Sequence, residues 1–126
     1  MTYRTPLSHA RGLGSAKSGA HHWWMQRLTA VALVPLTLWF VVSIIQLTGA
    51  NYQTAAMWLS NPVNSVLMLL LIAATFHHMQ LGLQVVIEDY VQSASAKIIG
   101  IIFVKLMSVL LAAAAAFAVL KIAFRG

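Results

Sequence analysis

Residues 76–90 read FHHMQLGLQVVIEDY. Two adjacent histidines, His77 and His78, sit inside an apolar run, and the chain's only two acids, Glu88 and Asp89, sit side by side at its end, followed by Tyr90. A neutral imidazole is a hydrogen-bonding group or a metal ligand, and a tyrosine hydroxyl beside a carboxylate can hydrogen-bond a carbonyl and supply it with a proton. On an α-helix Gly82 follows His78 by one turn on the same face, and Asp89 follows by nearly three full turns. His77 is rotated by roughly 100° from that stripe, so the two histidines cannot serve one site equally.

The missing side chain of Gly82 leaves room for a flat group against the helix, and a haem plane fits the gap. This makes His78 the candidate iron ligand and His77 a packing or hydrogen-bonding residue. An imidazole that binds iron needs its other nitrogen oriented by an acceptor, which the spacing does not identify. A neutral histidine bonded to a neighbouring helix is the competing account. Asp89 and Tyr90 stand ~16 Å further along the axis, where the pair suits a quinone carbonyl or, as readily, simple anchoring at the membrane interface.

A second cluster, GAHHWWMQR, places His21 and His22 beside Trp23 and Trp24, with Arg27 opening an apolar run. An aromatic belt with a snorkelling arginine accounts for most of it. An arginine fork at the membrane edge also suits a carboxylate such as a haem propionate. His21 precedes Arg27 by six residues and reaches the same region only if the arm turns back.

The elements that must position these groups follow from composition. The chain has 126 residues, 60% hydrophobic and 8% charged, with a mean hydropathy of +0.82. That is a membrane protein's composition. Its net charge of +6 suits the flanks of membrane spans better than nucleic acid, which the hydropathy argues against. With no cysteine, thiolate metal sites, iron–sulfur ligation, disulfides and cysteine nucleophiles are excluded within the chain.

Three apolar stretches have about the ~20 residues a helix needs to cross the hydrocarbon core. The single domain, 1–126, divides into an arm over 1–22 and spans over 28–48, 62–87 and 97–124. Pro35 is tolerated within a membrane helix; Gly49, Ala50 and Asn51 end the first span, and Asn61-Pro62 opens the second. Alanines 112–116 allow close packing in the third. Lys105 near its start reads as a snorkelling side chain. Residues 1–22 contain no h-region of a secretory signal. Arg4, Arg11, Lys17 and Arg27 precede the first span and the loop after it has no Lys or Arg, which predicts a cytoplasmic N-terminus, a cytoplasmic link over 88–97 and a periplasmic C-terminus. The fold class is all-α: three transmembrane helices, a bundle too small for a large cofactor alone and completed by a partner chain.

Two blocks carry a family resemblance. His78, Gly82 and QVVIEDYV (Gln84 to Val91), together with GAHHWWMQRLTAV (Gly19 to Val31), are similar to the small hydrophobic membrane anchor of succinate dehydrogenase, respiratory complex II, in its alphaproteobacterial form. The resemblance implies a membrane anchor of a succinate:ubiquinone oxidoreductase in the bacterial inner membrane. It implies His78 as axial ligand to the iron of haem b, with the second histidine supplied by a second, partner anchor chain. Arg27 falls near the haem propionates, and His21 in the same neighbourhood; Tyr90 contacts ubiquinone, and Asp89 shapes and protonates that site. Partners would be that second anchor, an iron–sulfur protein and a flavoprotein. The chain itself has no flavin motif, iron–sulfur ligands or dicarboxylate site. The HH doublets depart from the family pattern, so the choices within them rest on spacing. A quinol:fumarate reductase anchor and a small membrane protein without redox function are the rival readings.

Overall fold

The computed structural model describes residues 16–125, and all its regular elements are helices: α1 (Ala16–Gln46), α2 (Tyr52–Ser60), α3 (Pro62–Tyr90) and α4 (Ala94–Arg125). Three of them, α1, α3 and α4, are long and apolar enough to cross a membrane, so the chain is an integral membrane protein. In hydrocarbon a helix is the one open structure that satisfies its own backbone groups, which is why these apolar runs become helices despite their β-branched content. Helix α1 passes through Pro35 without interruption.

The spans agree with the apolar stretches and are longer at one end. Helix α1 begins at Ala16, inside the stretch expected to be an arm, α3 continues to Tyr90, and α4 begins at Ala94. Helices of 31, 29 and 32 residues are ~45 Å long, matching a bilayer with its headgroups rather than its core alone. The added turns carry polar residues: His21 and His22 on α1, Glu88 and Asp89 on α3, Ser95 on α4. Arg4 and Arg11 lie outside the described residues.

The first loop holds an extra element, the short helix α2. Asn51 caps it, its side-chain oxygen accepting from the Thr54 N–H at 2.9 Å. Asn61 then ends α2 and starts α3, accepting from the Val63 N–H at 2.9 Å, with Pro62 in the first turn. Asn64 donates back to the Trp58 carbonyl at 2.9 Å, and Trp58 stacks on Trp39 of α1 with centroids 5.6 Å apart. Amphipathic indoles of this kind suit the interface. Gly49, with φ of +80°, reverses the chain after α1 in a conformation that costs other residues strain.

Among the described residues α3 packs against both α1 and α4, whereas the backbones of α1 and α4 stay apart, no Cα of one lying within 8 Å of a Cα of the other. Near the link, Ile87 of α3 packs over Gly100 of α4, where a Cβ would stand at ordinary van der Waals distance, 3.5 Å, from its side chain. The link itself is three residues, and Ser93 opens α4 by accepting from the Ala96 N–H at 3.4 Å. Replacing Asn61 with alanine removes the side-chain cap of α3, and should lower the unfolding free energy of the detergent-solubilised protein by about 1 kcal/mol, measured by thermal or denaturant melts.

Candidate functional site

Because α3 is flanked on two sides, each residue's angle around it decides which neighbours it meets. His77 faces the groove between α1 and α4. It lines three cavities: one of about 260 Å³ with His21, His22, Gln80, Gln84 and Lys105, one of about 140 Å³ with Phe76 and Ser108, and an apolar one of about 340 Å³ with Leu28, Thr29 and Leu36. Its Nε2 is buried without a hydrogen-bond partner, as are the Nε2 of His22 and the Oγ of Ser108. Gln84 donates to Glu88 at 3.0 Å where the groove nears the link.

His78 lies about 100° around α3, against α1. Its Nδ1 is 3.1 Å from Oγ1 of Thr29, a residue only 7% exposed. The same hydroxyl lies 2.8 Å from the Met25 carbonyl and 3.1 Å from that of Gln26. Gly82 follows on the same stripe, and no atom lies within 4 Å of where its Cβ would stand. The stripe is therefore open to a flat group at Gly82, and His78 beside it supplies the kind of nitrogen donor that haem iron takes. Among the described residues no three His, Cys, Asp or Glu side chains gather as a self-contained metal site.

Arg27 is exposed, with its guanidinium 5.4 Å from the centroid of Trp23 one turn before it. That cation–π contact is worth roughly 0.5–1 kcal/mol at an exposed site, little enough to yield to a carboxylate. Helical spacing turns Arg27 away from the groove, ~160° around α1 from Thr29, the residue that meets His78. His21 is not brought to Arg27. The helix is continuous from Ala16, so the arm does not turn back at these residues and the two side chains leave α1 ~120° apart. His21 joins Lys105 in the groove instead. Asp89 and Tyr90 are both exposed at the end of α3, Tyr90 at 80%.

Sequence reasoning misses Thr29 and the groove. A small hydroxyl residue in an apolar span is the signal that points to Thr29, since such side chains either bond back to their own helix or bridge to another. The groove's lining, from His21 to Lys105, spans three helices and has no signature along the chain.

The family described as "Succinate dehydrogenase/Fumarate reductase transmembrane subunit" matches residues 1–118. The succinate dehydrogenase hydrophobic membrane anchor subunit of Rickettsia bellii is 38% identical over 112 residues, covering 87% of this chain and 90% of that one. The corresponding protein of Paracoccus denitrificans is 31% identical, with 77% and 75% covered, and the succinate dehydrogenase membrane anchor subunit of Reclinomonas americana is 28% identical, with 74% and 80% covered. No solved structure matches. Three apolar spans and a family match over nearly the whole length lead to one conclusion: the chain belongs to the succinate dehydrogenase/fumarate reductase transmembrane subunits.

Proposed function

We propose that the chain is the membrane anchor of a succinate:ubiquinone oxidoreductase, where it holds one side of a haem b and forms part of the ubiquinone-reduction site. The observation that carries this reading is the stripe on α3: His78 beside the open surface at Gly82, with Asp89 and Tyr90 exposed at the helix end. His78 would hold the iron through Nε2, and Arg27 would pair with a propionate at the membrane edge. His21, on the groove side, would add to the polar lining at that edge. When bound, haem b supplies a one-electron relay.

The second axial histidine would come from a partner anchor chain, because this chain's three spans leave the stripe uncovered. Electrons would reach the site from an iron–sulfur protein, fed by a flavoprotein that oxidises succinate on the cytoplasmic side of the inner membrane. The N-terminus and the short link would share that side, and the C-terminus would be periplasmic, as the distribution of Lys and Arg supports. At the link, the Tyr90 hydroxyl would donate a hydrogen bond to a ubiquinone carbonyl, and Asp89, open to solvent, would relay protons from water, two of which with two electrons convert the quinone to quinol. Their exposure leaves both groups free for such a substrate. The relatives above are named for succinate dehydrogenase, which favours succinate oxidation over fumarate reduction as the physiological direction.

The purified complex should show b-type haem absorbance in reduced-minus-oxidised spectra; a complex without it would sink the reading. His78→Ala should abolish or loosen that haem and His77→Ala largely spare it, with the reverse pattern moving the ligand to the groove. Gly82→Leu should leave the chain's own packing intact, since nothing in it occupies the space, and cut haem content at least as far as loss of a hydrogen bond to a metal ligand does, about tenfold or more. Tyr90→Phe should slow ubiquinone reduction by about 10²-fold while succinate oxidation with a soluble dye acceptor stays near normal. Loss of both activities would indicate failed assembly instead.

A further inference from the structure

We propose that Thr29 is the positioning residue that fixes the tautomer of His78 and thereby sets how strongly its Nε2 binds the haem iron. This rests on the reading of His78 as ligand and goes one step beyond it, to a residue on another helix.

A count of protons decides the tautomer. The Thr29 hydroxyl has one proton and faces three groups: the Met25 carbonyl at 2.8 Å, the Gln26 carbonyl at 3.1 Å and Nδ1 of His78 at 3.1 Å. The two carbonyls can only accept, and the shortest contact is to one of them, so the proton is committed to α1. What Oγ1 offers His78 is a lone pair. A neutral imidazole can meet it only by donating Nδ1–H, and a neutral imidazole has no second N–H. Nε2 is left with its lone pair outward, the state an iron ligand requires. If the hydroxyl turned to donate to Nδ1, the single imidazole proton would move to Nε2 and block it.

Burial holds the arrangement in place. Thr29 is buried, so water does not compete for its oxygen, and its back-bond to α1 fixes the direction of the lone pair. Among the described residues this is the one side-chain hydrogen bond that joins two spans; the Asn64 bond leaves its span only to reach the short helix α2. Donating Nδ1–H to an acceptor also makes the imidazole a stronger ligand through Nε2, which favours ferric over ferrous haem.

The test uses the whole complex with Thr29→Val, which keeps the shape and removes the oxygen, and Thr29→Ser, which keeps the oxygen. Haem retention, the haem midpoint potential and the g-values of the ferric haem are read in each. Thr29→Ser should resemble the parent. Thr29→Val should bind ferric haem about tenfold more weakly; with ferrous binding unchanged, that raises the one-electron midpoint by about 59 mV. If the valine variant does not assemble, Thr29→Ala gives the same readings without the branched side chain. Unchanged haem retention and potential in the variants lacking the hydroxyl would overturn the role of Thr29, as would an equal shift in Thr29→Ser. A His78→Ala control separates the two layers: haem retained there overturns the ligand reading and this inference with it, whereas haem lost there but unaffected by removal of the Thr29 hydroxyl overturns this inference alone.

Discussion

The structure depends on α3 being the one span that touches both others. With α1 and α4 apart, the central helix has one side closed into a groove and another that opens outward. A residue's role then follows from its angle. A step of one position, from His77 to His78, exchanges cavities lined by His22, Gln80, Lys105 and Thr29 for a direct 3.1 Å approach to the Thr29 hydroxyl beside open surface. An α-helix advances by roughly 100° per residue, so a doublet in a membrane span is two residues with two sets of neighbours. The same rule splits the cluster on α1, where His21 turns to the groove and Arg27 to the far side.

Much of this is legible along the chain because the bilayer imposes a simple code. Length and hydropathy mark the three spans, since an apolar run in lipid has few alternatives to a helix; Asn61-Pro62 marks the start of α3 through the chemistry of capping. The stripe from His78 through Gly82 to Asp89 follows from helical period alone. The helix ends are harder. Polar turns at Ala16–His22 and Glu88–Tyr90 carry little hydropathy signal, and whether such turns stay helical is decided by the neighbouring helices they continue to pack against. Helix α2 is hidden for a similar reason: nine residues with a single buried apolar side chain, Ala56, are too short for a strong periodic pattern, and their anchor is a stack between Trp58 and Trp39, distant in sequence.

Thr29 marks a different limit. Its type is visible, but its partner lies 49 residues away, and only the antiparallel register of α1 and α3 brings the hydroxyl to the imidazole. The groove has the same character: His21, His77 and Lys105 come from three spans and share a cavity only because α1 and α4 both pack against α3.

The magnitude of the Thr29–His78 bond indicates what it is for. Lipid provides no hydrophobic drive between spans, and interhelical hydrogen bonds in membranes average about 0.6 kcal/mol because unfolded spans find other partners. A contribution of that size is small beside the packing of a whole helix face, and α1 packs against α3 along the bundle independently of this bond. An acceptor on a ligating imidazole acts on another scale, with about 10–100-fold consequences for metal affinity, or ~1.4–2.7 kcal/mol at 1.36 kcal/mol per tenfold. The bond therefore matters more for the state of the ring than for the stability of the bundle. The sparse interior agrees: among the described residues only Ala56, Leu81 and Val119 are buried apolar side chains, so the chain contributes orientation at one face and leaves enclosure to what packs around it.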